Sequence, residues 1–403
     1  MEACSTDRES SSGATIGTPG WRRSLARRLL TWFDLHARPL PWRASRDPYR
    51  IWLSEVMLQQ TQVATVIGYF ERFLTALPTV ADLAAADEQQ VLRLWEGLGY
   101  YRRARQLHAA ARVICQEHGG EFPRDPQAVR ALPGVGRYTA GAVLSIAFDA
   151  REPILEANTI RVLSRLLAYR GDPRSTEGQR QLWQAAADWL PRKRAGAFNQ
   201  ALMELGSEVC TPRAPRCGEC PVASLCPTNA AGLQAVIPAA ARKQRFEAVH
   251  QAALVVRRAG GRVLLVQRAE KERWAGLWDF PRIVLDDVES HARSGYLERQ
   301  AAALAFGAMK NIAVELGERF ATLRHGVTRF RITLDCYEAQ VIERGKSTSA
   351  AAHKSRVSDQ TRPQPAAPTA RWFRLAELDE LPMNVTGRKI ARMLAARRNA
   401  PAR

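Results

Sequence analysis

The apolar side chains between residues 21 and 232 recur mostly at helical spacing. One continuous face is formed by Trp21, Leu25, Leu29, Trp32 and Phe33. The sequence therefore predicts a helical domain over residues 21–232.

A second clear helix is predicted within "DEQQVLRLWEGLGYY". Its first residue, Asp87, is followed three positions later by Gln90, which is the spacing of a capping box. Val91, Trp95 and Leu98 continue one apolar face beyond this start.

The pattern changes after residue 246, where short β-rich runs replace the helical periodicity. "HQAALVVRR" and "RVLLVQR" are separated by "AGG", which predicts a β-hairpin, and "FRITLDCYEAQV" alternates like a half-buried strand. The predicted fold class is therefore multidomain, with an all-α domain followed by an α+β domain.

Composition sets the predicted domain boundaries. The first 20 residues are polar and predict a disordered tail, and the Ala-rich, Pro-containing stretch 233–246 predicts a linker. The α+β domain then extends over 247–403. Few large apolar side chains occur in 342–369, which predicts a disordered loop inside that domain.

The chain carries a formal net charge of +19, which indicates an anionic partner. Nucleic acid is the first candidate, an acidic membrane the second, and a basic protein without such a partner the third. There is no uninterrupted apolar run of about 18 residues, so no membrane-spanning helix is expected. The N-terminus lacks the apolar core of a signal peptide, so we expect a cytoplasmic protein, and one with DNA as its anionic partner would be associated with the nucleoid.

Four of the seven cysteines lie within 17 residues, "CTPRAPRCGECPVASLC". The cluster consists of Cys210, Cys217, Cys220 and Cys226. Four thiolates so close together in a reducing compartment can hold Zn²⁺ or a [4Fe–4S] cluster. The spacing differs from that of the usual zinc ribbon, and four unliganded thiols are the remaining interpretation.

The segment "ALPGVGRYTAGAVLSIAF" predicts two helices joined by a tight turn at Pro133, Gly134 and Gly136. Glycine lets backbone N–H groups approach a ligand closely, and amides at a helix N-terminus suit a phosphate. A helical hairpin without any ligand needs a similar bend, so the turn alone does not decide its function.

Two carboxylates are candidates for acid–base chemistry. Glu55 interrupts an apolar helix face, and a buried glutamate would have the raised pKa of a general acid; a solvated surface position is the alternative. Glu156 precedes Asn158 and Thr159, where an acid is also ordinary at the start of a helix.

Several segments together resemble the MutY-type family of adenine DNA glycosylases, within the endonuclease III superfamily. They are "LPWR", "WLSEVMLQQTQVATVI", "GLGYYRRARQLH", "LPGVGRYTAGA" and "AFNQALMELGSEVCTP", and the resemblance extends over about residues 21–230. It implies a helix–hairpin–helix fold with a [4Fe–4S] cluster on the four cysteines. It also implies action on double-stranded DNA that contains A:8-oxoguanine or A:G mispairs, and we expect a monomer.

The resemblance implies catalytic roles for four residues. Glu55 matches the family's acid, which protonates the adenine, and Glu156 lies where a second carboxylate stabilises the sugar cation. Asn158 matches a residue that supports this carboxylate. Tyr138 stands where bifunctional relatives carry a lysine, and a tyrosine cannot form the Schiff base that leads to strand cleavage. The expected enzyme is monofunctional and leaves an abasic site.

The resemblance also implies contacts with the extruded adenine and with the DNA around it. Trp42, Arg43 and Leu58 match residues that line the family's adenine pocket. The residues that fill the space left in the duplex are matched by Gln60, Thr61, Leu98 and Tyr100. The three arginines Arg102, Arg103 and Arg105 are expected to contact phosphate or to be solvated.

One catalytic position departs from the family, which almost always has D-G-N where this chain has E-A-N. Glu156 is one methylene longer than the family's aspartate, and catalytic geometry tolerates only about 0.5 Å. In one hypothesis Glu156 performs the family role in a loop shifted together with Ala157. In the other, the site is impaired and the protein mainly binds or senses lesions.

The second domain resembles the MutT-like C-terminal domain of the same family, especially in "WAGLWDFPR". The glutamate-dense helix that binds Mg²⁺ in MutT hydrolases is missing from "ERQAAALAFGAMKNIAVELGERF", so recognition is expected rather than pyrophosphate hydrolysis. Val327, Thr328 and Arg329 stand where the family reads 8-oxoguanine. We expect Thr328 to hydrogen-bond the lesion and Arg329 to contact phosphate; an ordinary strand pair is the alternative.

Overall fold

A computed structural model describes residues 16–240, 245–285, 296–297, 300, 312–343 and 369–399. The contacts divide the chain into two compact units. Unit 1 contains residues 1–85 and 109–242, and unit 2 contains residues 86–108 and 243–403. The segment 86–108, which the sequence places in the helical domain, therefore packs within the same unit as the β-rich part of the chain.

Unit 1 is helical in the part that the structure describes, as predicted. Its longer helices are α1 Pro19–His36, α2 Pro48–Leu58, α3 Val63–Ala76, α8 Arg137–Phe148, α9 Ala157–Leu166, α10 Thr176–Trp189 and α11 Ala195–Glu208. Its short helices are α4 Val80–Ala85, α7 Pro126–Ala131 and α12 Pro227–Ala230, with 3₁₀ turns at Pro41–Arg43, Cys217–Glu219 and Ala223–Leu225. Helix α6, Arg102–Glu117, crosses the boundary between the two units.

Helices α1 and α2 begin at strong local signals. Thr18 and Asp47 are the N-caps, and each side chain accepts a backbone N–H from the first turn while a proline follows at the first helical position. The predicted face of α1, including Trp21 and Phe33, is buried in the core that α1 shares with α9, α10 and α11. This packing fixes the positions of the four helices relative to one another.

The turn between α7 and α8 has the conformation that its glycines predict. Gly134 has a φ of +74°, a region that glycine adopts without strain, and Gly136 is the N-cap of α8. Both glycines are exposed. The turn therefore presents the N-terminus of a long helix to solvent.

Residues 86–108 of unit 2 contain α5, Glu88–Leu94, and the start of α6. The predicted capping box at the start of α5 is wrong, because Asp87 occupies the N-cap but its side chain makes no capping hydrogen bond. The predicted apolar face is correct in that Val91, Trp95 and Leu98 are all buried. Leu98 lies beyond the end of α5, in the loop before α6.

The remainder of unit 2 is built around a mixed sheet. Its strands are β1 Glu247–Arg257, β2 Val263–Gln267, β3 Trp278–Asp279, β4 Arg282–Val284, β5 Ile312–Val327, β6 Phe330–Glu343 and β7 Ala370–Phe373. The order is β3-β2-β1-β6-β5, with β4 also paired to β1 and β7 to β2. Strands β1 and β6 are parallel, from Glu247↔Phe330 to Arg257↔Gln340, and the other pairs are antiparallel.

The sheet is apolar on both faces, which explains the near-continuous hydrophobic runs of β1 and β2. Alternate residues of β1 enter separate cores; Val255 packs on one face and Leu254 on the other. The first core also receives α13, Val385–Asn399, through Ile390 and Leu394. The predicted hairpin between β1 and β2 is confirmed by the antiparallel pair Arg257↔Val263.

Some predicted boundaries differ from the structure. Helix α1 begins at Pro19, inside the predicted tail, and β6 ends at Glu343, inside the predicted loop 342–369. Residues 1–15, 241–244 and 344–368 lie outside the described residues. Of the glutamate-poor segment 298–320, the structure describes residue 300 and residues 312–320, and the latter belong to β5. Among the described helices, none has both the length and the apolar character that a membrane span requires.

Candidate active site

Unit 1 contains a cavity of about 440 Å³, large enough for a nucleobase with part of its sugar. Glu55 from α2, Tyr138 from α8 and Glu156 from the start of α9 all line it. The two carboxylates that the sequence singles out, 101 positions apart, therefore meet in one cavity. Trp42, Arg43, Leu58, Gln60, Thr61 and Asn158 also line it.

Glu55 is buried, as the apolar pattern around it requires, and is 5% exposed. The Tyr138 hydroxyl donates a hydrogen bond of 2.5 Å to its Oε2 atom. Burial raises the pKa of Glu55 to about 7, and the negative charge of Glu156 adds to this, whereas the hydrogen bond from Tyr138 and the charge of Arg43 oppose it. Glu55 can therefore hold a proton near neutral pH, which is the property of a general acid.

Glu156 is the N-cap of α9, so the interpretation as an acid at the start of a helix and the catalytic interpretation apply to the same side chain. Its carboxylate accepts the backbone N–H of Asn158, at 2.9 Å from both oxygens, and that of Thr159 at 2.9 Å. Burial raises the pKa of Glu156, and these N–H groups, together with Arg161, oppose the rise. Its own N–H donates to the Thr159 hydroxyl, which completes a capping box.

Asn158 supports Glu156 through its backbone N–H group. Its side-chain Oδ1 accepts a hydrogen bond of 2.8 Å from Nη2 of Arg161. The same guanidinium donates to the carbonyl oxygens of Gly206 and Cys210, at 2.6 Å each. A Cβ at Gly206 would lie 2.7 Å from Cβ of Asn158, so the glycine allows α11 to approach the start of α9.

A buried carboxylate paired with two half-buried arginines forms another wall of the cavity. Glu204 accepts hydrogen bonds from Nε of Arg38 at 2.7 Å and from Nη2 of Arg43 at 2.9 Å. Burial raises the pKa of Glu204, but the two arginines outweigh it and hold the pKa at about 2. Sequence reasoning missed Glu204 and Arg38, although the acidic Glu204 within the apolar "AFNQALMELG" gives the same signal as Glu55.

The remaining predicted DNA contacts are distributed over other surfaces. Pro133, Gly134 and Gly136 form the exposed turn before α8. Leu98 and Tyr100 belong to unit 2, where Leu98 is buried and Tyr100 is exposed. The expectation that Arg103 contacts phosphate or is solvated is wrong, because this arginine is buried and donates to the carbonyl oxygens of Leu98 and Gly99.

The four cysteines form one half-buried group beside the core of unit 1. Three of them, Cys210, Cys220 and Cys226, pack against that core, and the charges of the other three thiols all act on Cys220. Nη1 of Arg165 lies 3.2 Å from Sγ of Cys210 and contributes positive charge. Four thiols from one loop with an adjacent cation fit the donor set of an anionic iron–sulfur cluster, in which bound iron deprotonates the ligating thiols.

In unit 2, Thr328 and Arg329 form the two-residue turn between β5 and β6, whose last pair is Val327↔Phe330. Both turn residues are exposed, and Thr328 has a φ of +50°. The Thr328 hydroxyl donates to the carbonyl oxygen of Val327 at 2.7 Å. Nε of Arg329 lies 3.3 Å from a carboxylate oxygen of Glu247.

Three family profiles match the chain. Residues 53–187 match the HhH-GPD superfamily base excision DNA repair protein, 210–226 match the iron-sulfur binding domain of endonuclease III, and 252–393 match the NUDIX domain. Together with the paired carboxylates in their cavity, these matches define a helix–hairpin–helix DNA glycosylase, an enzyme that hydrolyses N-glycosyl bonds in base excision repair. DNA is its partner, and the cysteine loop binds a [4Fe–4S] cluster.

The chain belongs to the adenine DNA glycosylase family. It is 35% identical to the adenine DNA glycosylase of Mus musculus over 91% of this chain and 76% of the mouse protein. Identity to the Rattus norvegicus and Homo sapiens enzymes is 40% and 38%, and the chain spans less than two thirds of each, 63% and 59%. A solved thermostable thymine-DNA glycosylase aligns with 53% of this chain and 99% of its own at 30% identity, with a TM-score of 0.49.

Proposed function

We propose that this glycosylase removes adenine paired with 8-oxoguanine or guanine by hydrolysis and leaves an abasic site. The observation that carries the proposal is the presence of Glu55 and Glu156 in one cavity of about 440 Å³. Burial raises the pKa of both carboxyl groups, to about 7 for Glu55, whereas at Glu156 two backbone N–H groups oppose the rise by favouring the charged form. This difference suits Glu55 to act as the acid and Glu156 to act as the ionised carboxylate.

In the proposed reaction, protonated Glu55 donates its proton to the adenine as the bond between N9 and C1′ breaks. The electron pair of that bond leaves with the neutral base, and the sugar becomes an oxocarbenium-like cation. Ionised Glu156 stabilises the positive charge. Water then adds to C1′ and gives its proton to the Glu55 carboxylate, which restores the acid and leaves an abasic deoxyribose.

Strand cleavage requires an amine that forms a Schiff base with the opened sugar. At the relevant position this chain has Tyr138, whose hydroxyl is already committed to Glu55. Burial, together with the charges of Glu55 and Glu156, raises the pKa of Tyr138, so its hydroxyl stays protonated. These properties support a monofunctional enzyme.

The wall formed by Arg43 and Glu204 supports adenine as the excised base. Adenine offers a donor, its N6 amine, next to an acceptor, N1. A carboxylate and a guanidinium held side by side by a 2.9 Å hydrogen bond present the complementary acceptor and donor. Trp42 is buried in the same cavity and supplies apolar surface for the base.

The exposed turn at Thr328 supports recognition of the opposite base. Its positive φ places a polar side chain at the tip of a long hairpin, where it can reach a base edge. Arg329 is 62% exposed, so phosphate can replace Glu247 as its partner at little free-energy cost. We expect Thr328→Ala to reduce the preference for A:8-oxoguanine over A:G, and Thr328→Ser to retain it. Unchanged discrimination in the alanine variant would remove Thr328 from lesion recognition.

The proposed enzyme acts as a monomer, since Glu55 and Glu156, which carry the proposed chemistry, belong to the same chain. The exposed glycine turn before α8 is suited to hold the DNA backbone, since it presents helix N-terminal amides to solvent. Light scattering of the protein alone and with one equivalent of lesion duplex would test this stoichiometry.

The test of the proposal compares duplexes that contain A:8-oxoguanine, A:G and A:T under single-turnover conditions. We expect fast adenine release from the first two, little from A:T, and strand breaks only after alkali treatment. Borohydride should trap little enzyme–DNA adduct. Efficient trapping would contradict the monofunctional mechanism, and equal release from A:T would contradict the mispair preference.

A further inference from the structure

The loop that joins α5 to α6 in unit 2 has an unusual backbone. Gly97, Gly99 and Tyr100 have φ values of +104°, +70° and +47°. Tyrosine rarely adopts this region, and bulky residues held there concentrate at functional sites. The Tyr100 ring is nevertheless 48% exposed. Tyr100 therefore combines a strained backbone conformation with an aromatic ring that is exposed to solvent.

The loop is held rigidly from inside. Nε1 of Trp95 donates to the carbonyl oxygen of Gly99 at 3.1 Å, and Nη2 of Arg103 donates to those of Leu98 and Gly99. The Arg103 guanidinium also lies 5.6 Å from the centre of the Tyr100 ring. An exposed aromatic ring supported by a cation is a platform on which a nucleobase can stack.

A buried ion pair ties the start of this loop to α13. Glu96, the residue before Gly97, receives two parallel hydrogen bonds from Arg388, Nε to Oε1 at 2.7 Å and Nη2 to Oε2 at 3.0 Å. Both side chains are more than nine-tenths buried, at 9% and 8% exposed. The Met383 backbone N–H donates to the same Glu96 carboxylate at 3.1 Å. A bidentate pair of this kind determines orientation as well as distance.

A second contact ties the other end of the loop to the same segment. The Tyr101 hydroxyl donates to the carbonyl oxygen of Met383 at 3.2 Å and accepts the N–H of Gly97 at 3.3 Å. Arg388 also donates to the carbonyl oxygens of Leu378 and Leu381, at 2.6 Å each. Residues 378–388 therefore hold both ends of the loop 97–100.

We propose that Arg388, through its buried ion pair with Glu96, is a positioning residue that aims Tyr100 at the stacked bases of the lesion duplex. The side chain on α13 lies in the part of the chain that matches the NUDIX domain, whereas the loop lies in the part that matches the glycosylase. This arrangement links the part of the chain that matches the NUDIX domain to the local opening of the duplex. The inference rests on the proposed function, since it requires the enzyme to distort DNA at a mispair.

The experiment measures DNA distortion without catalysis. 2-Aminopurine is placed beside 8-oxoguanine, opposite a non-cleavable 2′-fluoro-deoxyadenosine, and its fluorescence is recorded with saturating protein. Arg388→Gln is compared with Arg397→Gln, a matched control on the same helix whose exposed pair with Glu338 lies away from the loop. Arg388→Lys retains the charge and carries the test if Arg388→Gln does not fold.

We expect Arg388→Gln to reduce the fluorescence increase several-fold, Arg388→Lys to restore part of it, and Arg397→Gln to match the unmodified protein. The decisive comparison adds Arg388→Gln to Tyr100→Ala. If Arg388 acts through Tyr100, the second substitution causes little further loss. Additive losses, or a normal signal in folded Arg388→Gln, would overturn the proposal. An absent signal in the unmodified protein would instead overturn the proposed function, and this inference with it.

Discussion

The Tyr138 hydroxyl donates a hydrogen bond of 2.5 Å to Oε2 of Glu55, the buried carboxyl group in the cavity of unit 1. Burial raises the pKa of Glu55, and this hydrogen bond lowers it, with the result at about 7. The hydrogen bond from Tyr138 therefore keeps the pKa of Glu55 near neutral, and it also orients the carboxyl group.

Tyr138→Phe should change the pH dependence of base excision. Loss of the hydrogen bond destabilises ionised Glu55, so the pKa rises and the fall in rate on the alkaline side moves to higher pH. A weaker acid donates its proton less readily, so the maximal single-turnover rate should fall about tenfold. An alkaline limb that stays in place would show that Tyr138 does not adjust the pKa of Glu55.

Glu55→Gln should make the protein more stable at alkaline pH. The folded-state pKa of about 7 lies above the ordinary 4.5, so the stability that protonated Glu55 contributes is complete below 4.5 and is lost as pH rises through 7. Glutamine does not ionise and avoids this loss. The melting temperature of the variant should exceed that of the unmodified protein at pH 8, and the difference should shrink at pH 5. The exposed Glu71→Gln is the control and should show no such trend.

Glu156→Asp tests whether the longer side chain is used productively. Aspartate still caps the helix, because it is among the preferred N-cap residues. Its carboxylate, however, withdraws from the position that the structure provides, and a misplacement of about 1 Å can reduce the rate about a hundredfold. We expect a slower enzyme with nearly unchanged thermal stability. A faster aspartate variant would instead support the impaired, lesion-binding alternative.

Removal of the cluster should destabilise the fold of the cysteine loop. Cys220→Ser replaces a half-buried ligand beside the core, so we expect loss of iron, of absorbance near 400 nm and of thermal stability. A colourless unmodified protein that contains one zinc ion per chain would contradict the cluster assignment. Iron and zinc analysis decides between an iron–sulfur cluster and a zinc site, and thermal unfolding of the same samples measures the loss of stability.

The sequence predicts most of the fold where local signals agree with packing. The periodic face of α1, the glycine turn before α8 and the β1–β2 hairpin all depend on short-range chemistry, and each is confirmed. The capping box at Asp87 is wrong, since the residue takes the N-cap position without the side-chain bond. The membership of residues 86–108 in unit 2 depends on long-range contacts such as Glu96–Arg388, which no local pattern reveals.

The candidate active site could also be predicted only in part from the sequence. Resemblance and apolar context together locate Glu55 and Glu156, and the structure places both in one cavity. The role of Glu156 as the cap of its own helix was not predicted, because Asn158 and Thr159 compete with it as caps in the sequence. Glu204 was missed because its partners Arg38 and Arg43 lie more than 160 positions away, and only folding brings them together.

Single-turnover adenine release from an A:8-oxoguanine duplex tests the central claim most directly, when Glu55→Gln and Glu156→Gln are each compared with the unmodified protein. The account predicts that each variant binds the duplex and melts as a folded, iron-containing protein, yet releases adenine at least a hundredfold more slowly. A variant of either residue that excises adenine at the unmodified rate would contradict the mechanism of paired carboxylates.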